Sequence, residues 1–312
     1  ATMLGKAYQM ISSDNLDGQA VILLEMVAFL AMIGNFETGI LLVDKVETLT
    51  TSKYLLNLAN YYRLVHRLRN RDSSALQELI ESSKYFKEIN SHATLAFHYK
   101  IIGNGYRWQA DYETTHKYYD LALSIGKSHN YDHIISAILH DMGMLELTRK
   151  NINIALELLH QAVDMADNHY TKAFTQSNIA LVQMRLKDWD KAIIYLRDAL
   201  ALINEYGIFN LRPGAFHYLG QCHEQKKQLI AAKTYMKKAY ADALSLLQLH
   251  FPFNGNREMA IKGYTRFLEK HNLVDGSIGE DTYLAFTVDK KYSDIKGIFH
   301  KALIIFTTEH YG

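Results

Sequence analysis

Fifteen histidines, one cysteine and a few neighbouring carboxylates are the groups in this 312-residue sequence that could do chemistry. A metal centre needs three or four converging ligands at a recognisable spacing. His129 and His133 stand four apart and His217 and His223 six apart, and neither pair has the further ligands a site requires. Neither a metal nor a cofactor is therefore expected. Cys222, His223 and Glu224 are residue types that a nucleophile and its base use, but consecutive residues on a helix point in different directions. The thiol reads as buried and inert. Asp188 with Asp190 and Glu280 with Asp281 fall where helices start, and there carboxylates serve caps and helix dipoles. Gly103-Asn104-Gly105 has neither the lysine nor the strand that a phosphate-cradling loop needs. These patterns favour a binding protein over an enzyme.

Such residues can act together only if the elements beneath them repeat, and they do. In the stretch 178–202, Ile179, Val182 and Leu186 form the apolar stripe of one helix. Ala192, Leu196 and Ala199 form that of a second, across a polar break at Lys187-Asp188. Taking the first small residue of the second helix as a marker, the unit recurs at Gly39, Ala75, Thr115, Ala155, Ala192 and Ala232, with spacings of 36, 40, 40, 37 and 40. Four residues on comes a larger residue: Val43, Leu79, Tyr119, Leu159, Leu196 or Met236. Seven on comes a smaller one: Val46, Ser82, Ala122, Ala162, Ala199 or Ala239. An aromatic or aliphatic residue precedes five markers by three positions, at Phe36, Tyr112, Ile152, Trp189 and Leu229, and Asp72 breaks the pattern in the second unit. In the first helix of each hairpin, Ile102-Gly103, Met142-Gly143, Ile179-Ala180 and Leu219-Gly220 set a small residue where a neighbouring helix would otherwise clash.

These offsets resemble the tetratricopeptide repeat. The resemblance implies an all-α, right-handed superhelical solenoid of helical hairpins. The reading is one continuous repeat domain over 1–312: a partial hairpin at 1–15, six repeats within 16–250 and a degenerate repeat or cap at 251–312. The six units span 16–49, 52–89, 92–126, 131–167, 170–206 and 211–249, with a helix over 258–270 after the Phe251-Pro252 break. The period near 40 exceeds the usual 34, which implies longer helices or longer turns. Longer repeats of this kind resemble the sensor domains of bacterial peptide-pheromone receptors of the Rap, NprR, PlcR and PrgX type, here without an N-terminal effector domain.

In that family the first helices line a concave groove that binds an extended peptide. Carried onto this chain, the groove residues are Asn60, Arg67, Lys100, Asn104, Arg107, His140, Met144, Asn178, Leu181, Arg185, His217 and Gln221. Asn60, Asn104 and Asn178 match the type of position that clamps the peptide backbone, since an amide offers both a donor and an acceptor. Arg67, Lys100, Arg107 and Arg185 would supply a basic side suited to a carboxylate. A rival mode, the carboxylate clamp of chaperone-binding tetratricopeptide domains, is matched by Lys100 and Asn104. It is opposed by Asp141, which stands where a second asparagine belongs.

Net charge of +1 gives no general attraction to nucleic acid or to an anionic membrane. One cysteine excludes an internal disulfide, and no apolar run is long enough to span a bilayer. The expectation is a cytoplasmic receptor for a short linear peptide, regulating transcription through an effector that these residues do not include. A homodimer would form through a stripe at Ile298, Phe299, Leu303 and Phe306. The competing expectation is a scaffold, or a Rap-like regulator, that holds a protein partner with no small signal.

Overall fold

The computed structural model describes residues 2–32, 34–248 and 255–273. The chain divides into two units, 1–264 and 265–312, and the second is described only as far as residue 273. The described residues form fourteen α-helices and no strand. The opening helix, α1, is Thr2–Met10. Six hairpins follow, each with a first (A) and a second (B) helix: α2 Leu16–Met32 with α3 Phe36–Leu49, α4 Lys53–Arg69 with α5 Ser74–Glu88, α6 His92–Trp108 with α7 Tyr112–Ser128, α8 Asp132–Thr148 with α9 Ile152–Asp164, α10 His169–Arg185 with α11 Trp189–Glu205, and α12 Arg212–Gln225 with α13 Leu229–Gln248. The last described helix, α14, is Gly255–Lys270. The dimer stripe expected over 298–306 and the break at 251–254 lie outside the described residues.

The long period comes from the helices. α4, α6, α7, α8, α10 and α11 each run 17 residues, while the turn between α6 and α7 occupies only 109–111. Inside each hairpin the markers do what their size requires. Ala75, Thr115, Ala155, Ala192 and Ala232 are wholly buried, as are Val43, Leu79, Tyr119, Leu159 and Leu196 four residues on. The A-helix small residue faces this pair. A Cβ on Gly143 would lie 2.8 Å from Leu159 Cγ and 3.2 Å from the Ala155 carbonyl oxygen; one on Gly103 would lie 2.7 Å from the Tyr119 ring and 3.4 Å from the Thr115 carbonyl oxygen. The close approach of backbones thus depends on a missing side chain. The second hairpin departs slightly: Ser82 stays half-buried and reaches His98, while Ser83 is buried and bonds the Ile80 carbonyl at 2.7 Å.

Each A helix ends the same way. A residue in the left-handed region follows it (Gly34, Arg71, Ala110, Lys150, Lys187 or Lys227), with φ between 59° and 82°. The next amide then bonds back across the last turn. Asn35 N reaches Leu30 O at 2.8 Å, Asp72 N reaches Arg67 O at 3.1 Å, Asp111 N reaches Tyr106 O at 3.0 Å, and Asp188 N reaches Gln183 O at 2.9 Å. This is the Schellman closure, and it satisfies carbonyls that the helix end orphans. The same residue then caps the B helix, for example Asp111 to Thr114 N at 3.1 Å and Asp188 to Lys191 N at 3.1 Å. In these turns one residue therefore ends one helix with its backbone amide and starts the next with its side chain, which keeps the turns short.

Successive A helices lie against one another: α2 on α4, α4 on α6, α6 on α8, α8 on α10 and α10 on α12. No two successive B helices pack comparably among the described residues. An array whose A sides touch and whose B sides spread must curve with the A helices inside.

Candidate ligand-binding face

The inner face is made of A-helix residues not consumed by their own B helix. On α6, Lys100, Asn104 and Arg107 are spaced four and three apart and share one face. The next A helix answers with His140, Asp141 and Met144, and α10 with Phe174, Asn178, Leu181 and Arg185. Asp141 is the hub. Its Oδ2 accepts from Lys100 Nζ at 2.8 Å and from Asn104 Nδ2 at 3.2 Å, so one carboxylate ties α8 to α6. Asn104 Oδ1 in turn accepts from the buried Tyr119 hydroxyl on α7. Burial pushes the Asp141 carboxyl up, but Lys100, with His140 and Arg107, outweighs it and holds the group at about 2. Asp141 is thus charged at neutral pH.

His140 sits beside this hub. Burial lowers it to about 4, so it is a neutral imidazole at pH 7. It stacks on Phe174 at 4.9 Å, and its Nδ1 lies 3.0 Å from the Thr175 hydroxyl. A hydroxyl beside an imidazole can be a nucleophile and its base. Thr175 is wholly buried and His140 nearly so, and the pair instead joins α8 to α10 where no substrate reaches.

The other expected residues are placed as follows. Asn178 is buried and its Nδ2 donates to the Phe174 carbonyl of its own helix at 3.1 Å, while its side-chain Oδ1 accepts from none of the described residues. Asn60, Leu181 and Gln221 are half-buried, and Arg185 is exposed. Arg107 and Arg185 have no carboxylate partner within 4 Å among the described residues. Met144 is half-buried against Leu159, Ile179 and Val182.

Two residues differ from the expectation. Arg67 does not hold its guanidinium free for a ligand: it bonds Asp72 at 2.8 Å, Glu78 at 2.8 and 2.9 Å and Ser74 at 2.8 Å, all within its own hairpin. His217 lies only 2 % exposed beneath α14, where a Cβ on Gly263 would strike its ring, and its Nδ1 has no partner. Burial lowers it to about 4. It serves helix packing and lines no open surface.

Sequence reading gave Asp141 no role beyond blocking a carboxylate clamp, and Tyr119 and Thr175 none in a polar network. The spacing of about one repeat between these residues and their partners is the only signal that could have linked them. A second cluster, around the buried Glu146, is a turn lock: its carboxylate accepts from His116 Nε2 at 2.9 Å, Arg149 at 2.8 Å and Asn151 at 2.6 Å. Arg67 with Asp72 and His223 with Gln228 make the same bridge, five residues apart, in other hairpins. Burial raises the Cys222 thiol to about 12, leaving no thiolate at neutral pH.

Fold and face together define an all-α solenoid of tetratricopeptide-like hairpins with a polar inner surface. Among solved structures the chain is similar to a Rap protein complexed with competence and sporulation factor, with TM-score 0.63 and 14% identity over 99% of this chain and 91% of that one. It is also similar to aspartyl phosphate phosphatase F from Bacillus subtilis, with TM-score 0.57 and 17% identity over 95% of each chain. A third is a signal transduction ATPase with a tetratricopeptide repeat sensor from Pyrococcus horikoshii, with TM-score 0.58 and 14% identity over 98% of this chain and 46% of that one. At these identities the likeness is one of fold. No protein-family model and no curated protein sequence matches the chain. No described helix is long and apolar enough to cross a membrane.

Proposed function

We propose that this chain is a non-catalytic regulator that binds a short extended peptide on the inner face of its A helices. The observation that carries the reading is the row of amides and hydrogen-bonding groups presented by successive A helices around Asn104, Asp141 and Asn178. It is spaced by the repeat and set in a fold whose solved counterparts include one holding a signalling peptide. An extended chain exposes a donor or an acceptor at every residue, and a ladder of amides can meet it. Lys100 is already neutralised by Asp141, which leaves Arg107 and Arg185 as the cations available to a ligand's carboxylate. The output we propose is transcriptional and signal-dependent, carried by an effector segment outside these residues, in a cytoplasmic quorum-sensing role.

Native mass spectrometry of the protein, alone and after incubation with the small-peptide fraction of its host's spent medium, tests this. The expected result is one discrete added mass that fragments to a single sequence. If only the bare protein appears and a pull-down recovers a folded partner instead, the chain is a scaffold.

A further inference from the structure

The two edges of the repeat array differ in charge. The first turn from an A to a B helix holds Gly34 and Asn35; the later ones occupy 70–73, 109–111, 149–151, 186–188 and 226–228, and they carry Arg71, Arg149, Lys150, Lys187, Lys226 and Lys227. The turns from B to A helices, at 50–52, 89–91, 129–131, 165–168 and 206–211, contain no lysine or arginine at all. The A-to-B turns also lie side by side: Lys226 pairs with Asp190 at the start of α11, and Arg149 reaches His116 of α7 at 3.0 Å.

Backbone conformation sharpens the contrast. Both edges need residues in the left-handed region. On the B-to-A edge these are Asn90, Asn130 and Gly207, the residue types that tolerate it. On the A-to-B edge they are Gly34, Ala110 and four cations, Arg71, Lys150, Lys187 and Lys227, the cations at φ of 66°, 68°, 62° and 59°, where a side chain with a long stem is disfavoured. All four are exposed, and none has a carboxylate partner within 4 Å among the described residues. The same chain uses asparagine or glycine for this geometry on one edge and, in four turns of six, a cation on the other. Capping does not explain the choice, because glycine would close the same turns at lower conformational cost. A conformational outlier kept against an easier alternative points to function.

We propose that the A-to-B edge is a docking surface for an acidic polypeptide segment of a protein partner, contacted through Arg71, Lys150, Lys187 and Lys227. Charge complementarity selects the occupant. Asp72 and Asp188 follow two of these cations directly, so the edge alternates in sign, and the whole chain has a net charge of only +1. A nucleic acid or an anionic bilayer responds to a continuous positive field, which such alternation cancels. Spaced carboxylates on a polypeptide form discrete pairs and do not need that field. With neighbouring repeats about 10 Å apart, the four cations span roughly 40 Å, which an extended segment of about 12 residues covers. This surface is separate from the peptide-binding face of the A helices and does not depend on that reading.

The test combines one variant, Arg71→Gly with Lys150→Gly, Lys187→Gly and Lys227→Gly, and one probe, a fluorescent 15-residue oligoglutamate followed by anisotropy at low salt. The variant is expected to melt higher than the parent, because glycine relaxes all four turns, and to bind the probe roughly tenfold more weakly, as the loss of four exposed ion pairs implies. Ala110→Gly, at φ 61° in the cation-free turn 109–111, is the control, expected to melt higher with unchanged affinity. The proposal is overturned if the parent does not bind the probe, or if the quadruple variant melts higher yet binds equally well, since the cations would then be turn residues only. A quadruple variant that melts no higher overturns the premise that they are held at conformational cost. Weakened binding in Ala110→Gly would assign the effect to turn stiffness, and tighter binding to a 20-base-pair duplex or to phosphatidylserine vesicles would assign the edge to another class of partner.

Discussion

Lys100 of α6 and Asp141 of α8 form an ion pair at 2.8 Å across the seam between the third and fourth repeats, with side chains only 17% and 14% exposed. Because adjacent repeats touch only each other, a bond at a seam sets the rotation of everything beyond it. The same pair removes one cation from the proposed ligand-binding face. Its partner Asn104, held by Asp141 on one side and Tyr119 on the other, is oriented before any ligand arrives.

Asp141→Asn leaves Lys100 partly buried without a counter-charge, and is expected to destabilise the fold by about 2 kcal/mol at pH 7. The folded carboxyl titrates at about 2 and the free one at 3.8, so the parent's extra stability is complete above pH 4 and is lost as the pH falls toward 2. Urea titrations at pH 7 and pH 2 should therefore separate the two proteins at the first pH and bring them together at the second. A constant gap would mean that the pair contributes through shape alone.

Burial holds His217 at about 4 against 6.5 in the free side chain. Between those values the unfolded chain takes up a proton that the folded chain refuses. Stability is thus full above pH 6.5 and falls as the pH drops toward 4, by up to roughly 3 kcal/mol for this group. His98 and His140, both lowered to about 4 by burial, act in the same direction. The melting temperature should decline steeply over this range, and His217→Gln should flatten the decline by one proton. An unchanged slope would show that the ring takes up its proton without unfolding.

Gly143→Ala sets helix propensity against packing. Propensity alone favours alanine in a helix interior by about 1 kcal/mol. The added Cβ would meet Leu159 at 2.8 Å and the Ala155 carbonyl at 3.2 Å, and overpacking of this kind costs about 1 to 3 kcal/mol. A net loss of stability on chemical denaturation is expected. A gain would mean that α8 and α9 can move apart freely.

Asn178→Ala should weaken the affinity for the cognate peptide by roughly 1 to 3 kcal/mol, with the far-ultraviolet circular dichroism unchanged. Its only side-chain hydrogen bond among the described residues runs to Phe174 in the same helix, so no hydrogen bond between helices is lost. Titration calorimetry with the identified peptide reads this directly, and an unaltered affinity removes Asn178 from the binding face.

Much of the architecture could be read from residues close together in the chain. The markers from Gly39 to Ala232, and the larger residues four positions on, had to share one helix face and be buried together, because side-chain direction within a helix depends only on local spacing. Gly34 announced the first left-handed turn for a similarly local reason. Arg71, Lys150, Lys187 and Lys227 carry no such sign, and neighbouring hydrogen bonds impose that conformation on them.

The character of the proposed binding face required tertiary structure. Asn104 meets Asp141 at 37 residues' distance and His140 meets Thr175 at 35, about one repeat away. Arg67 had the right helical position for a groove cation, yet Asp72 and Glu78 of its own hairpin claimed it. His217 had an equally suitable position and was covered by Gly263 of α14. The sequence by itself determined the hairpins, their period and their buried stripes, because all of these follow from helical spacing within a single unit. Which polar side chains remain free for a ligand was decided only by how each repeat is rotated against the next, since that rotation brings a neighbour's carboxylate or backbone within reach.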